Sequence, residues 1–333
     1  MFQHNYGGDE SGLISGYGFS RGEPVREIGT AQALDELAGD GDSFVWLHFN
    51  LAHAASQRWL ERLAQLPEEF FEALKDGVHS TRIERTDEAL VAVINDAHFD
   101  FSFESSDIAT LWIAVTPRLV VTARQKPLRS IDRLRADVRR GMPLRSSVEL
   151  LERLLQAQAD VLVDIVRGVT TRVDAIEDDL LAGRRHHKRA QLGVLRRLLV
   201  RLQRLLAPEP AALFRLLQHP HAWMAERDVE ELRQATEEFS VTLRDMHALQ
   251  ERIKLLQEEI AASVNEDNNR SLFVLTVVTV LALPINILAG LFGMNVGGVP
   301  WSGNDHGFWI VVSIVIAFTA IAGWLAFRNG DDR

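Results

Sequence analysis

The rhythm of hydrophobic and polar positions changes three times along this 333-residue chain. Up to about residue 126, short apolar runs alternate with helix-like patches. Residues 44–49, 90–94, 111–115 and 119–123 are apolar and rich in β-branched or aromatic side chains, which predicts strands. Thr116-Pro117-Arg118 predicts a tight turn between the last two. Residues 31–38 and 55–74 read as helical. From Ser146 the pattern is helical almost throughout. One long helix is expected over 146–181, a break at Ala182-Gly183, and a strongly basic helix to about Leu206, ended by Ala207-Pro208-Glu209-Pro210. Asp228 is the expected N-cap of the next helix. In that helix Leu232, Phe239, Met246, Ile253 and Ile260 recur every seven residues, and Leu249 and Leu256 fall at d positions. With no Pro or Gly before Pro284, it is expected to run unbroken to Phe292. Over 65 residues that is about 95 Å at about 1.5 Å per residue. A helix so long needs partners, either the preceding helices of its own chain or copies in an oligomer.

The third change of rhythm is the loss of charge. Residues 271–292 and 308–327 form stretches of 22 and 20 residues without a charged side chain. Each is long enough to cross about 30 Å of hydrocarbon as a helix. Arg270 and Arg328 flank them, while the connecting loop 293–307 has no Lys or Arg and one acid, Asp305. The N-terminal MFQHNYGGDESG has no apolar core, so no signal peptide is expected. The first insertion signal is then residue 271, and the expected topology has both termini in the cytoplasm and a short loop outside. Three parts follow: an α/β domain over 1–145, a long-helix stalk or funnel over 146–270, and a two-helix membrane part over 271–333. The fold class expected is α+β.

The net charge of −10 disfavours nucleic acid and favours cations. There is no cysteine, so strong metal ligands are limited to His and carboxylates. His186-His187 diverge by about 100° if helical, and with His219-Pro220-His221 they are set below any stronger assignment. Asp174, Glu177, Asp178 and Asp179 face Arg184–Arg185 and Lys188–Arg189 across the break at Gly183, which favours structural pairing over a cation sensor. From Asp228 to Asp267 there are eleven acids against four bases, a net −7, which in an axial funnel lowers the free energy of cations. No GxSxG, HExxH or P-loop pattern is present, so no enzyme is expected.

One face of the first apolar stretch is interrupted by polar groups. Leu272, Thr276, Thr279, Leu283 and Asn286 follow 4-3-4-3 spacing, and Asn269 extends the face toward the cytosol. Hydroxyls and amides in a bilayer need a partner, from their own helix, another helix or water in a lumen. A helix pair cannot enclose water, so a pore requires several subunits around an axis. The second stretch is more uniformly apolar, with Trp309 and Trp324 near its ends, and reads as an outer, lipid-facing helix. In the loop, Asn295, Asn304 and Asp305 offer oxygen to a cation, and the glycines allow close backbone approach.

Gly293-Met294-Asn295 directly after the first span, followed by a short loop and a second span, resembles the CorA metal ion transporter superfamily. The extension Asn295-Val296-Gly297-Gly298-Val299-Pro300 is similar to its zinc-transporting ZntB branch. The resemblance implies a homopentamer in the bacterial inner membrane whose first spans line one central pore. It places the selectivity motif on Gly293, Met294 and Asn295, and the pore lining on Asn269, Leu272, Leu275, Thr276, Thr279, Leu283 and Asn286. Asn295 and Asp305 would meet the ion transiently at the loop mouth. It implies no resident cofactor, with Zn2+ as cargo and proton coupling as a possible driving force. The alternatives are a magnesium, cobalt or nickel channel of the same type, and, from another class, a membrane-anchored coiled-coil scaffold or signalling protein.

Overall fold

The computed structural model describes residues 9–328 except 40, 64, 76, 78–79, 104–106, 185–186, 295–299 and 301–304, and the side chains of 323 and 325–328 are likewise outside it. The chain divides into two compact units, Met1–Gln257 and Glu258–Arg333.

The first unit is built on a seven-stranded sheet in the order β2-β1-β3-β7-β6-β5-β4. Its strands are β1 (Leu13–Phe19), β2 (Arg26–Glu27), β3 (Phe44–Asn50), β4 (Arg82–Arg85), β5 (Leu90–Ala97), β6 (Ile108–Val115) and β7 (Leu119–Arg124). β3 and β7 pair in parallel and every other neighbouring pair is antiparallel, so the sheet is mixed. The turn at Thr116-Pro117-Arg118 closes the β6–β7 hairpin, with the Thr116 amide donating to the Leu119 carbonyl at 2.8 Å. Helices α1 (Thr30–Ala38), α2 (Ala54–Leu60) and α3 (Glu68–Lys75) join one core with Val45, Leu47 and Phe49 of β3 and Leu119, Val121 and Ala123 of β7. The alternate residues of those strands are also buried, as in Trp46, His48, Val120 and Thr122. Both faces are covered, which is why these strands read as unbroken apolar runs. His48 and Arg124 are sealed in with them. Arg124 Nε donates to His48 Nε2 at 3.0 Å, so the ring proton sits on Nδ1 and is shared with Thr122 Oγ1 at 2.8 Å. Burial and the Arg124 charge hold the imidazole well below its ordinary pKa, and the ring stays neutral.

Several elements differ from the sequence expectation. β1 carries Gly16 and Gly18, which weaken its strand pattern. A Cβ on Gly16 would sit 2.4 Å from the Ile28 carbonyl, so the glycine allows the chain to pass there. The 55–74 patch is two helices, since Pro67 restricts Leu66 and opens α3 afresh. Helix α4 (Arg129–Arg139) was hidden by its arginines and buries only Ser130, Ile131, Leu134 and Val138. Pro208 does not simply end the basic helix α6 (Lys188–Leu206); it is the first residue of α7 (Pro208–Gln218), where its missing N–H costs nothing.

The long helices follow the expected course. α5 (Ser147–Leu181) is capped by Ser146, whose Oγ accepts from the Glu149 amide at 3.0 Å. α8 (Glu226–Phe292) runs 67 residues and starts before Asp228, which is therefore not the N-cap. Asp228 instead accepts from Ser146 Oγ at 2.5 Å and ties the start of α8 to the start of α5. Further along, Arg252 pairs with Asp174 at 2.7 Å and with Glu177, so α5 and α8 run in parallel. Gln203–His247 at 3.4 Å and Arg196–Gln257 at 3.3 Å set α6 antiparallel to α8. The heptad residues Leu232, Phe239, Met246 and Ile253 are fully buried within one chain. Their partners are therefore the chain's own helices, and this heptad face is no argument for an oligomer. Phe239→Ala should destabilise the first unit by about 3–5 kcal/mol, read by denaturant unfolding of the full chain in detergent. A loss under about 1 kcal/mol would show that this face does not fix α8.

Candidate functional site

Beyond Ile260 the burial pattern of α8 disappears. Leu272, Val274, Leu275, Val278, Val280, Leu283, Ile287 and Leu291 are each more than half exposed, and they point to every side of the helix. An 18-residue window here has a mean hydropathy of 2.5 with none of it buried, and the helix is long and apolar enough to cross a membrane. Helix α9 (Gly307–Arg328) has the same apolar character, and Phe308, Trp309, Ile316 and Ile321 are exposed on it. A helix apolar all round is stable only under a cover, from lipid or from other protein.

Along this exposed half the structure places Asn269, Leu272, Leu275, Thr276, Thr279, Leu283 and Asn286 on continuous α8, all exposed. Their angular positions at about 100° per residue stay within one sector of the helix. The two hydroxyls bond back to their own turn: Thr276 Oγ1 donates to the Leu272 carbonyl and Thr279 Oγ1 to the Leu275 carbonyl, both at 2.8 Å. Each hydroxyl proton is thereby used, and each oxygen keeps its lone pairs turned outward as an acceptor. Pro284 removes one amide from the ladder inside the same stretch. Gly293 ends α8, its amide donating to the Ala289 carbonyl at 2.9 Å. A Cβ there would lie 3.0 Å from that carbonyl oxygen, so any larger residue presses on the last turn. Met294 is half exposed, and Asp305 is exposed just before α9. Asn295 and Asn304 lie outside the described residues.

The charged clusters resolve as structural pairs. Asp179 binds Arg184 at 2.5 Å and also Lys188, and those two hydrogen bonds hold its carboxyl below the ordinary range. Asp174 and Glu177 bind Arg252. Glu231 is held low by Arg227 at 2.9 Å and Arg145 at 2.7 Å. Among the described residues, Glu237, Asp245, Glu258, Glu259 and Glu266 of α8 have no salt-bridge partner and leave an acidic surface. His221 Nε2 donates to the Ala89 carbonyl at 3.1 Å, and the ring stacks on Trp223. No group of three or more metal-ligating side chains occurs among the described residues.

Residues 41–328 match the family described as CorA-like Mg2+ transporter protein. The chain belongs to the CorA family. That is a family of metal ion transporters and not of enzymes. Among its relatives this CorA-family chain is 28% identical to the divalent cation transporter CmaX of Pseudomonas aeruginosa over 97% of both chains. It is 25% identical to the zinc transport protein ZntB of Yersinia enterocolitica, covering 84% of this chain and 86% of the relative. The solved structure of full-length CmaX superposes with a TM-score of 0.78 at 27% identity, covering 97% of this chain and 98% of that one. The CorA magnesium transporter of Methanocaldococcus jannaschii shares the fold, with a TM-score of 0.70 at 18% identity over 93% and 96% of the two chains.

The bare surface of α8 makes a direct prediction. The full CorA-family chain should remain with lipid vesicles after an alkaline wash and leave them only with detergent. A fragment ending at Gln257, where the first unit ends, should be soluble without either. Recovery of the full chain in the aqueous wash would show that something in the chain covers the apolar half.

Proposed function

We propose that this chain is the subunit of a homopentameric divalent-cation transporter of the bacterial inner membrane, with zinc as its cargo. The observation that carries the reading is the polar strip on an otherwise bare apolar helix that ends in Gly293-Met294. Five copies of α8 around an axis would turn Asn269, Thr276, Thr279 and Asn286 toward a lumen, with Leu272, Leu275 and Leu283 as apolar rings between them. Residues 1–145 and the 146–270 stalk would lie in the cytoplasm, and 271–292 and 308–327 would cross the bilayer with the 293–307 loop outside.

The chemistry required is modest. A divalent ion in a narrow path needs oxygen atoms that replace or bridge its hydration water, and no residue has to form a covalent bond. Thr276 and Thr279 suit this because their protons are already engaged and their oxygens accept. Gly293, Met294 and Asn295 form the entrance, where the Asn295 amide oxygen meets the hydrated ion and Asp305 concentrates cations at the mouth. The unpaired acids of the stalk act over about a Debye length of 8 Å and attract cations without selecting one.

Zinc is favoured by the Asn295–Pro300 sequence and by the relation to ZntB. Magnesium is the second reading, favoured by the family's description. Neither apolar stretch has an Asp, Glu or His, so any coupled proton would travel by way of the loop or the stalk. Purified protein in liposomes decides among these. Zinc uptake should exceed magnesium uptake, and a pH-gradient arm reads proton coupling. Asn295→Ala should cut flux at least about tenfold, equivalent to about 1.4 kcal/mol in the barrier, while leaving the oligomer intact. Preferred magnesium uptake would replace zinc with the second reading, and wild-type flux in Asn295→Ala would remove Asn295 from the entrance.

A further inference from the structure

The second residue of α7 is a carboxyl group placed inside the first unit. Glu209 is 1% exposed. Apolar side chains surround it from every element packed there: Ile83 of β4, Ile94 of β5, Leu155 of α5 and Leu232 of α8. Leu202 and Leu206 of α6 close the adjoining space beside Asp96. The cavities on the two sides of Gln158 are no larger than about one water, too small to hydrate a carboxylate. Among the described residues no Lys, Arg or His pairs with Glu209, and the titratable group that acts on it is Asp96, of like charge.

Its hydrogen-bond partner is a single amide. Gln158 Nε2 donates to Glu209 Oε2 at 3.1 Å and also to the Asn95 carbonyl at 2.8 Å. The second bond fixes the amide orientation, because a flipped Gln158 would set two carbonyl oxygens against each other. Gln158 Oε1 is then buried with no donor. Asp96 is supplied very differently. It accepts from the Ser130 amide at 2.9 Å, from the Ser130 hydroxyl, and from the Ala97 amide at 2.7 Å. Three donors hold a charge on Asp96, whereas Glu209 has one donor and a neighbouring oxygen in need of a proton.

We infer that Glu209 and Gln158 form a proton-operated latch, in which neutral Glu209 gives its O–H to Gln158 Oε1 while accepting from Gln158 Nε2, and so ties α7 to α5 and β5. When the proton leaves to water, a buried carboxylate faces a carbonyl oxygen. That state favours water entry and release of α7. Burial pushes the Glu209 carboxyl up to about 8, and the Asp96 charge pushes the same way. Burial lifts Asp96 only to about 6, against its donors. Near neutral pH Asp96 is therefore ionised and Glu209 is not. The latch belongs to the first unit and does not depend on which ion is carried.

The sign of the pH effect follows from linkage. The unfolded chain gives up this proton near 4.5 and the folded chain near 8, so the folded state holds one extra proton between them. Stability is lost as pH rises through that window and levels off above it. Infrared difference spectra of the full chain in detergent, between about pH 6 and about pH 9, should show a protonated-carboxyl band that vanishes with a midpoint near 8. The part of the band with that midpoint should be absent in Glu209→Gln, leaving the contributions of Glu152 near 7 and Asp96 near 6, and in Asp96→Asn the Glu209 midpoint should move to lower pH. Relative to Glu209→Gln, the wild-type unfolding constant should rise about tenfold per pH unit inside the window. Glu152, lifted to about 7 by burial, is common to both proteins and cancels in that comparison. A band with its midpoint near 8 that survives in Glu209→Gln, or unfolding constants that stay parallel, would overturn the latch. If Glu209→Gln does not fold, an Asp96→Asn midpoint equal to wild type would overturn it.

Discussion

The cost of leaving apolar surface in water governs both halves of α8, and the two halves meet it differently. At about 25 cal/mol per Å2, burying one Leu or Phe is worth about 1.5–3 kcal/mol. Over the first half that gain is realised inside the chain: Leu232, Phe239, Met246 and Ile253 are sealed, with α5 in parallel and α6 antiparallel beside them. Over the second half a higher density of Leu, Val and Ile is left bare on all sides. Among the described residues of one chain nothing covers it. A bilayer and further copies of the chain are the covers that the transport reading supplies, and the rest of that reading depends on them.

The same medium limits what the polar residues can do. A free hydroxyl proton in hydrocarbon is costly, and Thr276 and Thr279 avoid that cost by donating to carbonyls four residues back. This internal bonding is compatible with a lumen. A threonine whose proton is occupied presents oxygen outward, which a cation or its hydration shell can use, and it presents no charge that would trap a divalent ion. Asn269 and Asn286 add amide oxygens at either end of the strip without adding titratable groups.

The sequence carried some features plainly and hid others for physical reasons. The central strands, the long helices and the apolar stretches were legible because hydrophobic periodicity is strong where an element is buried on a broad face or bare of charge. β4, with Ile83 as its apolar residue, and the arginine-rich α4 were not, since each hides few side chains. The partner of the heptad face was also illegible. A repeat at Leu232, Phe239 and Met246 is the same string whether the neighbour is another helix of the chain or another copy. Glu209 was read only as part of a Pro-Glu-Pro helix stop; nothing local to that string tells that the carboxyl is buried against Gln158, 51 residues away. The strip on α8 was legible by spacing, whereas its direction in an assembly is a property of several chains.

That direction is the central claim, and the absence of cysteine makes it directly measurable. Single cysteines placed at each position from 269 to 286 of the full chain in liposomes, and tested with a membrane-impermeant thiol reagent, would map which side of α8 meets water. The account predicts labelling at 269, 272, 276, 279, 283 and 286, slowed by the transported ion, and protection at intervening positions such as Phe273, Val274 and Val278. Uniform protection along the helix, or labelling centred on Phe273 and Val280, would contradict it.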